Sequence, residues 1–122
     1  MARYVDGFVI PIARRKLKAY LAQARLGAAL WRKHGALSYF ECVGDDLDVP
    51  FGKGFRRMAG LKPGETAFFS FIVYRSRAHR DRVNAAVMKD PRMQAMAEEM
   101  GRAAPFDPRR MAMGGFDARV WW

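Results

Sequence analysis

Cysteine, histidine and acidic side chains are all scarce in this chain, and each shortage removes a class of chemistry. The one cysteine, Cys42, forbids an internal disulfide and suits a reducing cytoplasm. The two histidines, His34 and His79, stand in no HxxxH spacing, and there is no CxxC pair, so no metal site is expected. Asp45, Asp46 and Asp48 lie in GDDLDVPFGKGF, which lacks the ligand spacing of a calcium loop and reads as a solvated turn. Gly52-Lys53-Gly54 lacks the spacing and the hydroxyl residue of a phosphate loop. No cofactor is therefore expected. Long hydrophobic runs are missing too. The strongest, Ala67 to Tyr74, is far short of the roughly 20 residues of a membrane span. Asp6 follows Arg3 too closely for a signal peptide. These absences predict a soluble, cytoplasmic protein with no membrane partner.

What the chain has is positive charge. Lys and Arg number 22 against 12 acids, a net charge of +10. The excess is uneven. Residues 1–35 hold eight bases and one acid, residues 36–74 four and five, and residues 75–122 ten and six. Such a field favours encounter with anions in general and selects none of them. A small anionic ligand is one expectation that follows. The length, 122 residues, suits one domain with its own core.

Two periodicities organise the chain. Tyr4 to Pro11, Leu37 to Val43, Thr66 to Tyr74 and Met111 to Phe116 read as strands. Ala13 to His34 carries Leu17, Tyr20, Leu21, Ala24, Ala28 and Trp31 at helical spacing, and His34-Gly35 suits a helix end. Ser76 caps a second helix through Lys89, with Val83, Ala86 and Val87 inward. Asp90-Pro91 restarts a short helix with Met93, Met96, Ala97 and Met100 on its apolar face, ending at Gly101. Gly44 to Gly64 is polar and glycine-rich, an excursion from the core. The order β-α-β-β-α-β with an extra short helix is the ferredoxin-like α+β plan. It predicts an antiparallel sheet in the order 4-1-3-2, with helices on one face.

Alternation sorts the strand residues into two sets. One is Val5, Gly7, Val9, Phe40, Cys42, Phe69, Phe71 and Val73, which we assign to the helix side. The other is Tyr4, Asp6, Phe8, Ile10, Tyr39, Glu41, Val43, Phe68, Ser70, Ile72 and Tyr74, which we assign to the open face. That face is too apolar for water and predicts a homodimer through the sheet faces. Asp6 and Glu41 stand out, because a buried carboxylate is costly unless paired or protonated. Two readings follow. They form structural ion pairs, with Arg110 or Arg75 as partner, or they anchor a ligand in a cavity with Tyr4, Tyr39, Ser70 and Arg110. Cys42 is read as a buried small hydrophobe and His34 as a helix-end residue. Leu26 and Leu30 fall opposite the inward stripe of the first helix. Trp121 and Trp122 either fold back on the surface or hold a partner.

Several short motifs stand in one order: YVDGF (Tyr4 to Phe8), ECVGDD (Glu41 to Asp46), DPRM (Asp90 to Met93), PFD (Pro105 to Asp107), Arg110-Met111 and GGF (Gly114 to Phe116). In these the chain resembles the YbaA-like family of small bacterial proteins. The resemblance implies a ferredoxin-like fold of the dimeric α/β barrel superfamily, whose members include cofactor-free monooxygenases. It transfers no catalytic residue. Three functions stay open. A dimeric binder of a small molecule in the cavity between the two sheets ranks first, and a cofactor-independent, monooxygenase-like enzyme using the same cavity second. A nucleic-acid-binding domain using the basic helices ranks third, because carboxylates on the open sheet face would repel phosphate. No specific nucleic-acid partner is expected.

Overall fold

The computed structural model describes residues 2–122. Strand β1 (Arg3–Ala13) leads through a 3₁₀ turn, Arg14–Lys16, into helix α1 (Leu17–Lys33). Strand β2 (Ser38–Val43), the one-turn helix α2 (Phe55–Met58) and strand β3 (Glu65–Tyr74) follow. Helices α3 (Arg77–Lys89) and α4 (Pro91–Ala103), a 3₁₀ turn at Pro108–Arg110 and strand β4 (Ala112–Ala118) complete the fold. The sheet order is β2-β3-β1-β4 with every neighbouring pair antiparallel, which is the expected 4-1-3-2 read from the other edge. The fold is ferredoxin-like α+β.

Local chemistry explains the boundaries. Gly35, at φ 108°, lets the chain leave α1 in a conformation that a side chain would resist. The Ser76 hydroxyl accepts from the His79 N–H at 3.1 Å and starts α3. Asp90 ends α3 and caps α4, its carboxylate accepting from the Arg92 N–H at 2.9 Å, with Pro91 beginning the new helix. Gly101 does not stop α4, which runs on to Ala103.

The period of the strands is as expected, but their two faces are exchanged. Asp6, Ile10, Phe68, Ser70, Ile72 and Tyr74 are buried, and Tyr20, Ala24, Val83 and Val87 of the helices are buried with them in two clusters. Val5, Val9, Phe40, Cys42, Phe69 and Phe71 belong to the open face instead. Phe69 is 47% exposed and Phe40 49%, and Cys42 is exposed rather than buried. Both sets are apolar, so hydrophobicity alone could not set the phase. The helices tolerate the two carboxylates because they bring partners to them. Leu30 is a second correction. It is 2% exposed, while Leu26, also assigned to the outer face, is 58% exposed. The inward stripe of α1 is Tyr20, Ala24, Gly27 and Leu30.

Candidate ligand cavity

A cavity of about 330 Å³ lies between the sheet and the helix layer. The sheet supplies Asp6, Phe8, Ile10, Tyr39, Glu41, Ser70, Ile72 and Tyr74 as its floor. Helix α1 supplies Tyr20, Gln23, Ala24, Gly27 and Trp31, and α3 supplies Arg80, Asn84 and Met88. Met96 and Met100 of α4, with Phe106, Met111 and Met113, close the remaining side. The walls are apolar apart from Gln23 of α1 and two polar centres.

The first centre is Glu41. Its Oε1 accepts from the Tyr20 hydroxyl at 2.7 Å and from the Ser70 hydroxyl. Its Oε2 accepts from the Tyr39 hydroxyl at 2.8 Å. The register that pairs Glu41 with Ser70 across β2 and β3 puts these two on one face, and Tyr39 reaches the same carboxylate from two residues away. Tyr20 comes from above, out of α1. Burial, and then the Glu41 charge, push the Tyr20 and Tyr39 hydroxyls well above the usual phenol range. Both therefore remain donors at neutral pH. Gly27 makes room for this cluster, because a Cβ there would lie 2.8 Å from the Tyr39 hydroxyl. Among the described residues Glu41 has no cationic partner within ion-pair distance.

The second centre is Asp6, whose Oδ1 accepts from the Arg80 guanidinium at 2.6 Å. Arg80 also donates to Asp81 at 2.8 Å and lies 5.0 Å from the centre of the Tyr4 ring. Beside it, the Trp31 indole N–H donates to Asn84 Oδ1 at 3.0 Å and to the Tyr74 hydroxyl at 3.1 Å. Burial, and then the charge of Asp6, hold the Tyr74 phenol up.

The structure thus gathers Asp6, Tyr39, Glu41 and Ser70 around one cavity, on the helix side of the sheet. Tyr4 stands beside the cavity rather than in its wall, its ring packed over Gly115. Arg110 is elsewhere. Its guanidinium donates to both carboxylate oxygens of Glu65, at 2.7 and 2.8 Å, and holds that carboxyl down to about 2. Arg80 fills the role expected of Arg110 or Arg75, and the ion-pair reading holds for Asp6 but not for Glu41. Arg80 was findable, since it precedes Val83 and Val87 by three and seven residues and so shares their helix face. Trp31 and the α4 methionines were legible as apolar faces, though not as cavity walls. His34 does close α1, with its Nε2 2.9 Å from the Asp90 carboxylate. Among the described residues no three His, Cys, Asp or Glu side chains gather to hold a metal, and no helix is long and apolar enough to cross a membrane.

Two solved structures share this fold. A dimeric ferredoxin-like protein from an uncultured marine organism aligns over the whole of both chains, with a TM-score of 0.62 and 8% identity. A nipsnap family protein with unknown function from Agrobacterium tumefaciens aligns over 95% of this chain and 87% of its own, with a TM-score of 0.58 and 15% identity. Sequence similarity is far higher to the uncharacterized protein YbaA of Escherichia coli K12, at 41% identity over 120 residues and 97% of each chain. YbaA of Shigella flexneri matches equally. Residues 3–108 match the family described as protein of unknown function DUF1428. With that match and the YbaA relatives together, the chain belongs to the YbaA-like DUF1428 family.

Proposed function

We propose that this protein is a homodimer that binds a small, largely apolar molecule in the cavity beneath the helices of each subunit. The observation that carries the reading is the cavity itself, apolar-walled and holding one convergent polar cluster at Glu41. Its volume is at the lower end of the about 300–1,000 Å³ usual for small-molecule sites, which suits a compact ligand. The site lies inside one subunit, not between two sheets as the alternation first suggested. Nor does it suit an anion. Among the described residues its one cation, Arg80, is already engaged by Asp6 and Asp81. The same carboxylate would serve a cofactor-independent enzyme as a proton acceptor, and conversion of a bound compound rather than its release unchanged separates the two readings.

Met100→Trp tests the site by filling its α4 wall. Binding of 2-phenylethanol, followed by calorimetry, should weaken about tenfold, equivalent to about 1.4 kcal/mol, while the fold is kept. Affinity unchanged by that substitution would place the compound elsewhere and end the reading.

The dimer rests on the open face. Phe40 and Phe71 stack there at 4.7 Å, Phe69 lies 5.9 Å from Phe71, and Phe116 is largely exposed. Among the described residues the strands bring no charged side chain to this face between Arg3 and Glu65 at its margins. A second copy of the same surface covers such a patch, and the marine ferredoxin-like protein is itself described as dimeric. The exchange of faces removes Asp6 and Glu41 from the argument against nucleic acid. A stronger one replaces it, because the strands bring no lysine or arginine to this face inside its margins, where phosphate would need a partner. Binding of nucleic acid by the basic helices is then weak and without sequence preference.

A further inference from the structure

The net charge of +10 draws attention to anions, yet the cavity has the opposite sign. Its walls hold two carboxylates, Asp6 and Glu41, and one guanidinium, Arg80. Asp6 and Arg80 neutralise each other at 2.6 Å. Among the described residues Glu41 is left with hydroxyl donors alone: Tyr20, Tyr39 and Ser70. Neutral donors offset part of the desolvation of a carboxylate, but they supply no countercharge.

We propose that the cavity takes an organic ammonium ion, a protonated amine with an apolar body of about one ring, whose nitrogen pairs with Glu41. This rests on the reading of the cavity as a ligand site and names the chemical class it selects. A carboxylate offers about four lone-pair positions. Oε1 uses two, on Tyr20 and Ser70, and Oε2 uses one, on Tyr39, which leaves Oε2 able to accept a further donor. The surroundings suit a cation as well. Tyr20, Tyr39, Trp31 and Phe106 present aromatic rings to the same space, and ring faces attract ammonium groups. The methionines of α3 and α4 give the apolar body a polarizable, adaptable wall. A carboxylate ligand would meet Glu41 as a like charge, with no free cation among the described lining residues to offset it.

The test is a matched series of one shape and three charges: 2-phenylethylamine, 2-phenylethanol and phenylacetate, titrated calorimetrically at pH 7. The amine should bind at least about tenfold tighter than the alcohol, with phenylacetate weakest. In Glu41→Gln the preference for amine over alcohol should vanish, because the ammonium loses more affinity than the alcohol when the carboxylate is neutralised. Tyr39→Phe keeps the carboxylate and frees one of its lone pairs, so the amine should bind at least as tightly as to the unaltered protein. This second variant keeps the question answerable should Glu41→Gln fail to fold. Alcohol or phenylacetate binding as tightly as the amine would overturn the assignment of ligand class and leave the cavity reading standing. A preference that survives Glu41→Gln, or is lost in Tyr39→Phe, would also overturn it. Failure of all three compounds to bind would overturn this proposal and the cavity reading together.

Discussion

Gly27 is the residue on which the polar cluster of the cavity depends most directly. A helix interior ordinarily favours alanine over glycine by about 1 kcal/mol. Here a methyl group would meet the Tyr39 hydroxyl at 2.8 Å, and Tyr39 is held in place by Glu41. Overpacking of this kind costs about 1–3 kcal/mol, more than the helix preference returns. Gly27→Ala should therefore lower stability by about 1 kcal/mol in urea denaturation, and loosen the Tyr39–Glu41 hydrogen bond. A variant more stable than the parent would show that Tyr39 moves aside freely. Nothing in the local sequence marks Gly27 in this way. Its neighbours Ala28 and Ala29 read as equally good helix positions, and only the docking of α1 on β2 separates them. The carboxylates were legible for the opposite reason. Asp6 and Glu41 interrupt apolar strands, and strand pairing unites Glu41 with Ser70 whichever face is covered. Their true partners, Arg80 and Tyr20, come from helices, and the rotation of a helix about its own axis is set by packing.

At the scale of elements, the strands and long helices were readable because period-two and period-3.6 patterns differ, and because Ser76, Asp90 and Pro91 mark ends chemically. The phase of the sheet was not readable. In β3, Phe68, Ser70, Ile72 and Tyr74 go inward while Phe69, Phe71 and Val73 go outward, and either set could line a core. The junction of α3 with α4 shows how much one side chain can join. Asp90 accepts from His34 at 2.9 Å and from Lys33 at 3.1 Å, and also caps α4. Its bond to His34, then those to the Arg92 N–H and Lys33, depress its carboxyl below the usual range. An acid with a depressed native pKa binds fewer protons folded than unfolded. Its contribution is complete above the unfolded value of about 3.9 and is lost as pH falls toward the native one. Asp90→Asn keeps the cap but not the ion pairs, and Asp90→Ala loses both. The urea midpoint at pH 7 should fall for asparagine and fall further for alanine. Both variants should lose less stability between pH 5 and pH 2 than the parent. Equal midpoints for the two would show that the cap contributes nothing.

For the whole molecule, the proposed dimer rests on the open face. Phe69 lies near its middle, between the Cys42 and Val9 positions of the neighbouring strands. Phe69→Asp places a charge that a second subunit would have to bury unpaired. Sedimentation equilibrium at micromolar concentration should give a dimer for the parent and a folded monomer for this variant. A monomeric parent would remove the dimer from the proposal and leave the aromatic face to another partner. The ladder between β1 and β4 has a different consequence, for the route by which the chain reaches this state. It joins Arg3 to Ala118, a far greater sequence separation than the pairing of Ser38 with Val73. Closing a loop costs entropy that rises with its length, and contacts so distant are gained only after nearer ones have shortened the effective loop. The β1–β4 edge is then among the late events of folding. Met113 of β4 and Met111 just before it reach their places in the cavity wall with that edge, so the pocket closes only as the last strand docks.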